Sequence, residues 1–160
     1  MVARLLPKRA PQAVAHFRAL ADGTLAWRDP KTGRREARPL YDGTVFHRVV
    51  PGLFIQGGDP AGTGDGDPGV PVPDEFGAKF DRAGLLAFAS WGPGTSQSQF
   101  FITLGPDRDL DGRYTVFGEL VSGLDVAKAI AAVPRDAKSG TDRPFDPPVL
   151  KSVRVVDAAP

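Results

Sequence analysis

Arg48 is the residue of this chain with the most chemistry to offer. It stands in Val45-Phe46-His47-Arg48-Val49-Val50, a β-branched and aromatic run that reads as a strand. A cation there either escapes to solvent or lines a cavity. Phe54, Phe101, Leu110 and Tyr114 supply apolar surface on neighbouring segments. Gln56 and Gln99 add neutral amides, each able to donate and to accept. A permanent cation beside amides and an apolar slot, with no carboxylate in the same motifs, is poorly suited to hydrolysis. It suits a reaction that makes no bond and moves no proton.

Rotation about an X-Pro peptide bond is such a reaction. Its barrier of ~18–20 kcal/mol comes from amide resonance. Drawing the proline nitrogen lone pair away from the carbonyl weakens the partial double bond. A guanidinium N–H aimed at that nitrogen does this and keeps its charge near neutral pH. An apolar pocket holds the ring while the rest of the peptide turns. Because the contact forms only in the twisted state, it raises the rate rather than the affinity.

Three blocks then match a known pattern. Phe46-His47-Arg48-Val49-Val50-Pro51-Gly52 followed by Gln56-Gly57-Gly58-Asp59 resembles the signature of the cyclophilin family of peptidylprolyl isomerases. So do Ser98-Gln99-Phe100-Phe101-Ile102, and Leu110-Asp111-Gly112 ahead of Val116-Phe117-Gly118. They come in the family's order and near its spacing, and the likeness runs from about Leu5 to the C-terminus. It implies a mainly β fold, a closed antiparallel barrel of about eight strands capped by two helices, as one domain over residues 1–160. It implies that Arg48 is catalytic and that Gln56 and Gln99 bind the substrate backbone and support the arginine. Leu53, Phe54, Phe101, Leu110 and Tyr114 would line the proline pocket. Ala89 and Ser90 would pair with the substrate strand, and Gly62 would lie in a glycine loop beside the groove. No metal and no cofactor are implied.

Four positions depart from the family. Leu53 replaces an aromatic residue of the pocket, which keeps apolarity and loses ring stacking. Asp109 stands where many members carry a tryptophan important for cyclosporin, so weak cyclosporin binding is expected. Trp91 replaces a small residue at the groove rim and is expected to narrow the site there. The family's first strand has no counterpart, because Met1 falls where that hairpin should already be turning back. Read as written, the chain is cytoplasmic; a start further upstream would allow a periplasmic or secreted location. The expected partners are proline-containing polypeptides, with no nucleic acid and no membrane, and the expected state is a monomer.

Other chemistries fit less well. His47 with Ser98 and Asp59 has the residue types of a hydrolytic triad but no G-x-S-x-G elbow, so His47 reads as a buried structural histidine. Gly62-Thr63-Gly64-Asp65-Gly66 lacks the Lys-Ser/Thr of a phosphate loop, and Asp65 and Asp67 lack the remaining EF-hand ligands. There are no cysteines and only two histidines, which excludes disulfides and thiolate chemistry and disfavours a histidine-rich metal site. A formal net charge of +1 gives no basic surplus for nucleic acid. A non-catalytic module that only grips proline segments is the alternative class, but such a module has no need of Arg48.

The elements that must carry these residues are short. Gly and Pro number 19 and 16 of 160 residues, below the ~25–30 per cent that signals disorder, and they punctuate brief apolar runs. The pattern predicts strands over 2–6, 45–50, 53–56, 85–89, 99–104, 114–117 and 149–156. Pro11 opens a helix whose buried stripe is Val14, Phe17 and Leu20 or Ala21. A second helix is predicted over 123–133, with Ser122 and Asp125 at capping spacing and Leu124, Ala127, Ile130 and Ala131 on one side. Residues 22–40 are charged and aperiodic and read as a long loop, and the stretch from Gly23 to Pro39 is expected to be a surface insertion dispensable for catalysis. Phe100 and Phe101 must face opposite ways on their strand, and the family resemblance implies that Phe101 lies in the groove and Phe100 in the core.

Overall fold

In the computed structural model, which describes residues 1–157, the chain is mainly β with two helices, as expected. The central sheet has six antiparallel strands: β1 (Val2–Leu5), β5 (Arg48–Val50), β6 (Phe54–Gly57), β7 (Leu85–Phe88), β8 (Phe100–Thr103) and β9 (Val116–Ser122). Their spatial order is β1-β9-β7-β8-β6-β5. Three two-stranded ladders stand apart from it. They join β2 (Trp27–Arg28) to β3 (Arg35–Glu36), β4 (Thr44–Val45) to β12 (Val149–Leu150), and β10 (Arg135–Asp136) to β11 (Arg143–Pro144).

Register decides what each face of the sheet carries. Val49 pairs with Ile55, Ile55 with Ile102, and Ile102 with Leu86. Residues opposite one another across strands share a face, and this row is buried in the larger core with Phe17, Tyr41, Phe100 and Phe117. One residue along, Arg48 pairs with Gln56, Gln56 with Phe101, Phe101 with Ala87 and Ala87 with Val116. That row projects from the opposite face. There Phe101, Ala87 and Val116 form a smaller cluster with Phe80 and Leu85. The alternation therefore puts Phe100 in the core and Phe101 on the groove side.

Helix α1 (Pro11–Asp22) starts at a proline and buries Ala13, Phe17, Leu20 and Ala21. Its first N–H groups are met from outside the helix, since the Glu75 carboxylate accepts from the amides of Gln12 and Ala13. Gly23 ends it in the left-handed region, where an added Cβ would meet the Arg38 backbone at 2.6 Å. Helix α2 (Leu124–Ala131) buries Ala127 and Ala131.

Several expectations need correction. Residues 45–50 are two strands, not one, because the chain leaves the ladder at Phe46 and His47 and changes partner there. The strand expected at 114–117 runs Val116–Ser122, since both of its edges find partners in β1 and β7. The strand expected at 149–156 pairs only over Val149–Leu150. Ser122 makes no side-chain cap for α2; Gly123, at φ 87°, takes the N-cap position. Residues 22–40 are not only a surface loop, since the segment is anchored in the core. Trp27 is 2% exposed within the main core and donates its indole N–H to the Arg38 carbonyl at 3.0 Å. A single large ring anchors an otherwise charged segment, and a lone ring leaves no periodic trace.

Candidate functional site

Face, strand order and two loops converge on one cavity of about 250 Å³. The groove-side row supplies Arg48, Gln56 and Phe101, and Phe54 joins them because it lies two residues before Gln56 on the same strand. Phe101, 5% exposed, is the floor, with the Tyr114 ring edge-on at 5.4 Å and the Phe54 ring tilted at 5.8 Å. Leu110 closes the slot from a short 3-10 turn, Arg108–Leu110. The Arg48 guanidinium lies over the Phe54 ring at 5.1 Å, held as a cation above an aromatic face.

Polar groups fill the other wall. Gln56 donates its amide N–H to Gln99 Oε1 at 3.0 Å, and Gln99 donates in turn to the Gly64 carbonyl at 2.8 Å. This chain of amides fixes both carboxamides at the cavity wall. Ala89 and Ser90 continue from β7 as extended chain along the rim. Ala89 donates its N–H to the backbone carbonyl of Gln99 at 2.9 Å, while the Ser90 N–H has no partner among the described residues.

A buried carboxylate organises the glycine loop that faces these amides. Asp59, 0% exposed, accepts the backbone N–H groups of Ala61 at 2.7 Å, Thr63 at 2.9 Å, Gly64 at 2.7 Å and Gly66 at 3.3 Å. Burial alone would favour its neutral form, but the four N–H groups outweigh this and hold its carboxyl below the ordinary value. Gly66 is required here: a Cβ at that position would lie 1.9 Å from Asp59 Oδ1. Nearby His47 is 5% exposed and burial keeps its pKa below the usual range, consistent with a structural rather than a catalytic histidine.

Of the expected site residues, Arg48, Phe54, Gln56, Ala89, Ser90, Gln99, Phe101, Leu110 and Tyr114 come together around the cavity. Leu53 and Gly62 do not reach its wall. Leu53 sits in the Pro51–Leu53 turn, 43% exposed, and Gly62 lies behind, its carbonyl accepting from Arg143 at 2.7 Å. The cavity also includes Gly66, Trp91, Thr95, Gln97 and Ser98. Of these, only Trp91 was expected at the groove, as a large residue at the rim.

Asp142 carried no sequence signal at all. It is the one non-glycine residue with positive φ, 52°, among those described. Its carbonyl accepts the Val49 N–H at 2.9 Å on the outer side of β5. Its carboxylate lies 3.9 Å from the Arg48 guanidinium and 3.3 Å from that of Arg135.

Comparison with known proteins gives one consistent answer. The family model described as cyclophilin type peptidyl-prolyl cis-trans isomerase/CLD matches residues 1–155. Peptidyl-prolyl cis-trans isomerase B of Streptomyces anulatus is 49% identical over 156 residues, covering 95% of this chain and 88% of that protein. Peptidyl-prolyl cis-trans isomerase A of Mycobacterium tuberculosis is 44% identical over 153 residues, covering 94% and 84%. A crystal structure of a Cryptosporidium parvum cyclophilin type peptidyl-prolyl cis-trans isomerase, in the presence of the dipeptide Ala-Pro, aligns with a TM-score of 0.78 at 32% identity. It covers 98% of this chain and 92% of that one.

Proposed function

The chain belongs to the cyclophilin type peptidyl-prolyl cis-trans isomerase family and is an enzyme of that class; from that premise we propose that Arg48 performs the catalysis and that the cavity around it holds the proline. The observation that carries the reading is the shared face of Arg48, Gln56 and Phe101, three consecutive positions across the sheet. That face sets a guanidinium, an amide and an aromatic floor side by side. The proline ring rests on Phe101 between Phe54, Leu110 and Tyr114. The substrate carbonyl is held at the amide pair of Gln56 and Gln99. The Ser90 N–H pairs with the extended substrate backbone, as an edge strand would.

Rotation then proceeds with the ring fixed. As the imide twists, its nitrogen becomes pyramidal and gains a localised lone pair. An Arg48 N–H donates to that lone pair, an interaction absent in either planar isomer. A bound peptide covers the half-exposed guanidinium and thins the water around it, which strengthens the contact. No group is transferred, so the reaction calls for no metal or cofactor. We take the substrates to be proline-containing segments of polypeptides whose folding this rotation assists, and the working form to be a monomer.

The direct test is magnetisation-exchange spectroscopy on a short X-Pro peptide. Accelerated cis/trans exchange at catalytic enzyme concentration is expected. Peptide binding without acceleration would mean that the groove only grips.

Cyclosporin should bind weakly. Asp109 is exposed on the Arg108–Leu110 turn beside the pocket residue Leu110, and it sets a carboxylate where an apolar macrocycle would pack. Titration calorimetry should show Asp109→Trp tightening binding by roughly tenfold or more, the scale of one buried aromatic contact. Equal affinities before and after the substitution would show that this position does not control the drug.

A further inference from the structure

Trp91 walls two cavities at once. The residue is 80% exposed, against 2% for Trp27, the chain's other tryptophan. A large ring left in water beside a binding groove marks a surface meant to be covered. On one side Trp91 borders the proline cavity. On the other, with Ser90, Pro93 and Tyr114, it borders a second cavity of about 250 Å³ whose remaining walls include Phe76 and Arg113. Ser90, Trp91 and Tyr114 belong to both, so the two spaces adjoin one another.

The second space is built rather than incidental. Trp91 donates its backbone N–H to Thr95 Oγ1 at 2.9 Å, and that hydroxyl donates to the Gly92 carbonyl at 2.7 Å. Gly94 donates its N–H to the Asp74 carboxylate at 2.6 Å, tying the turn to the chain just before Phe76. The backbone bearing the indole is thus braced. Phe76, 41% exposed, offers a second ring. The Arg113 side chain makes no hydrogen bond or ion pair among the described residues, so a cation at the rim is left for a ligand.

We infer that this second cavity is a client subsite, adjoining the proline pocket, for an aromatic or long aliphatic side chain with a carboxylate beside it to meet Arg113. The inference rests on the isomerase reading above and adds a sequence preference around the proline. Edge-to-face packing on Trp91 and Phe76 favours an aromatic ring over an aliphatic chain of similar size.

The test is a set of X-Pro peptides, alanine elsewhere, in which one Phe is moved stepwise along either side of the proline. At one position Phe should raise kcat/KM roughly tenfold over Ala, the scale of a well-packed aromatic contact. That peptide should also move Trp91 emission to shorter wavelength, since buried Trp27 has no water to lose. Phe76→Ala should abolish the difference between the Phe and Ala peptides. Should that variant fail to fold, Arg113→Glu, an exposed change, should reverse a preference for Glu over Lys beside the Phe. Equal rates at every position, a Phe gain that survives Phe76→Ala, or an unreversed charge preference would overturn the assignment. Failure of the isomerase reading itself would look different, as no turnover of the all-alanine peptide.

Discussion

Arg48→Ala should lower turnover of an X-Pro peptide by ~10²–10³-fold, the loss of ~3–4 kcal/mol of transition-state stabilisation from one charge-assisted donor. The protein should stay folded. Arg48 is exposed on β5, and its removal opens no hole in either core. Arg48→Lys should fail nearly as badly, because an ammonium lacks the planar fork that can reach the imide nitrogen and a supporting amide together. Peptide affinity should change far less than turnover, since Phe101, Phe54 and Tyr114 hold the ring in both isomers. Exchange spectroscopy gives the rate and circular dichroism the fold. A folded Arg48→Ala variant with near-normal exchange would refute the assigned role.

Asp59→Ala should destabilise the protein by about 2–4 kcal/mol. Four backbone N–H groups lose one buried acceptor, and only those near the loop surface can turn to water instead. For a chain of this size that is a fall in Tm of roughly 5–15 °C. Activity should drop as well, because the Gly64 carbonyl that anchors Gln99 is part of the loop being released. Asp59→Asn should lie between, since its NH₂ turns a donor toward donors. The sign with pH follows. A carboxyl held below its unfolded value of ~3.9 adds stability above that pH and loses it as pH falls through the folded value. Buried His47, also lowered, acts in the same direction from its unfolded ~6.5 downward. Tm should therefore decline on the acid side in two stages. A variant Asp59→Asn that keeps the lower stage at full size would show that Asp59 is not its source.

The groove face was legible because strand alternation is a strict rule. The two-residue period set Phe100 and Phe101 on opposite faces, the family resemblance assigned Phe101 to the groove, and the register agrees. Helix α1 was legible because Pro11 marks its start and Phe17 and Leu20 its buried side. What the sequence concealed was long-range or solitary. Asp142 meets Arg48 only through the return of a distant segment, and nothing local foretells its left-handed backbone. Trp27 is one ring among charges, without the repeats that betray a core. Ser122 has the right spacing for a cap, but Gly123 turns the chain before its hydroxyl can be used. Leu53 matched a pocket position by motif, yet it lies half-exposed in its turn and is not among the residues lining the cavity.

Arg48 stands on the outermost strand of the sheet, opposite in order to β1, and β5 is three residues long. Its inner side pairs with β6, while its outer side is fastened by Val49 to the carbonyl of Asp142, a residue in a costly backbone conformation. Releasing so short a strand exposes little apolar surface compared with opening β7 and β8, whose residues are buried throughout. Amide exchange at Val49 should accordingly outpace that at Ile102. In rising urea the enzyme should fall silent before it unfolds, with catalysis lost by local release of β5 while the body of the sheet is still intact.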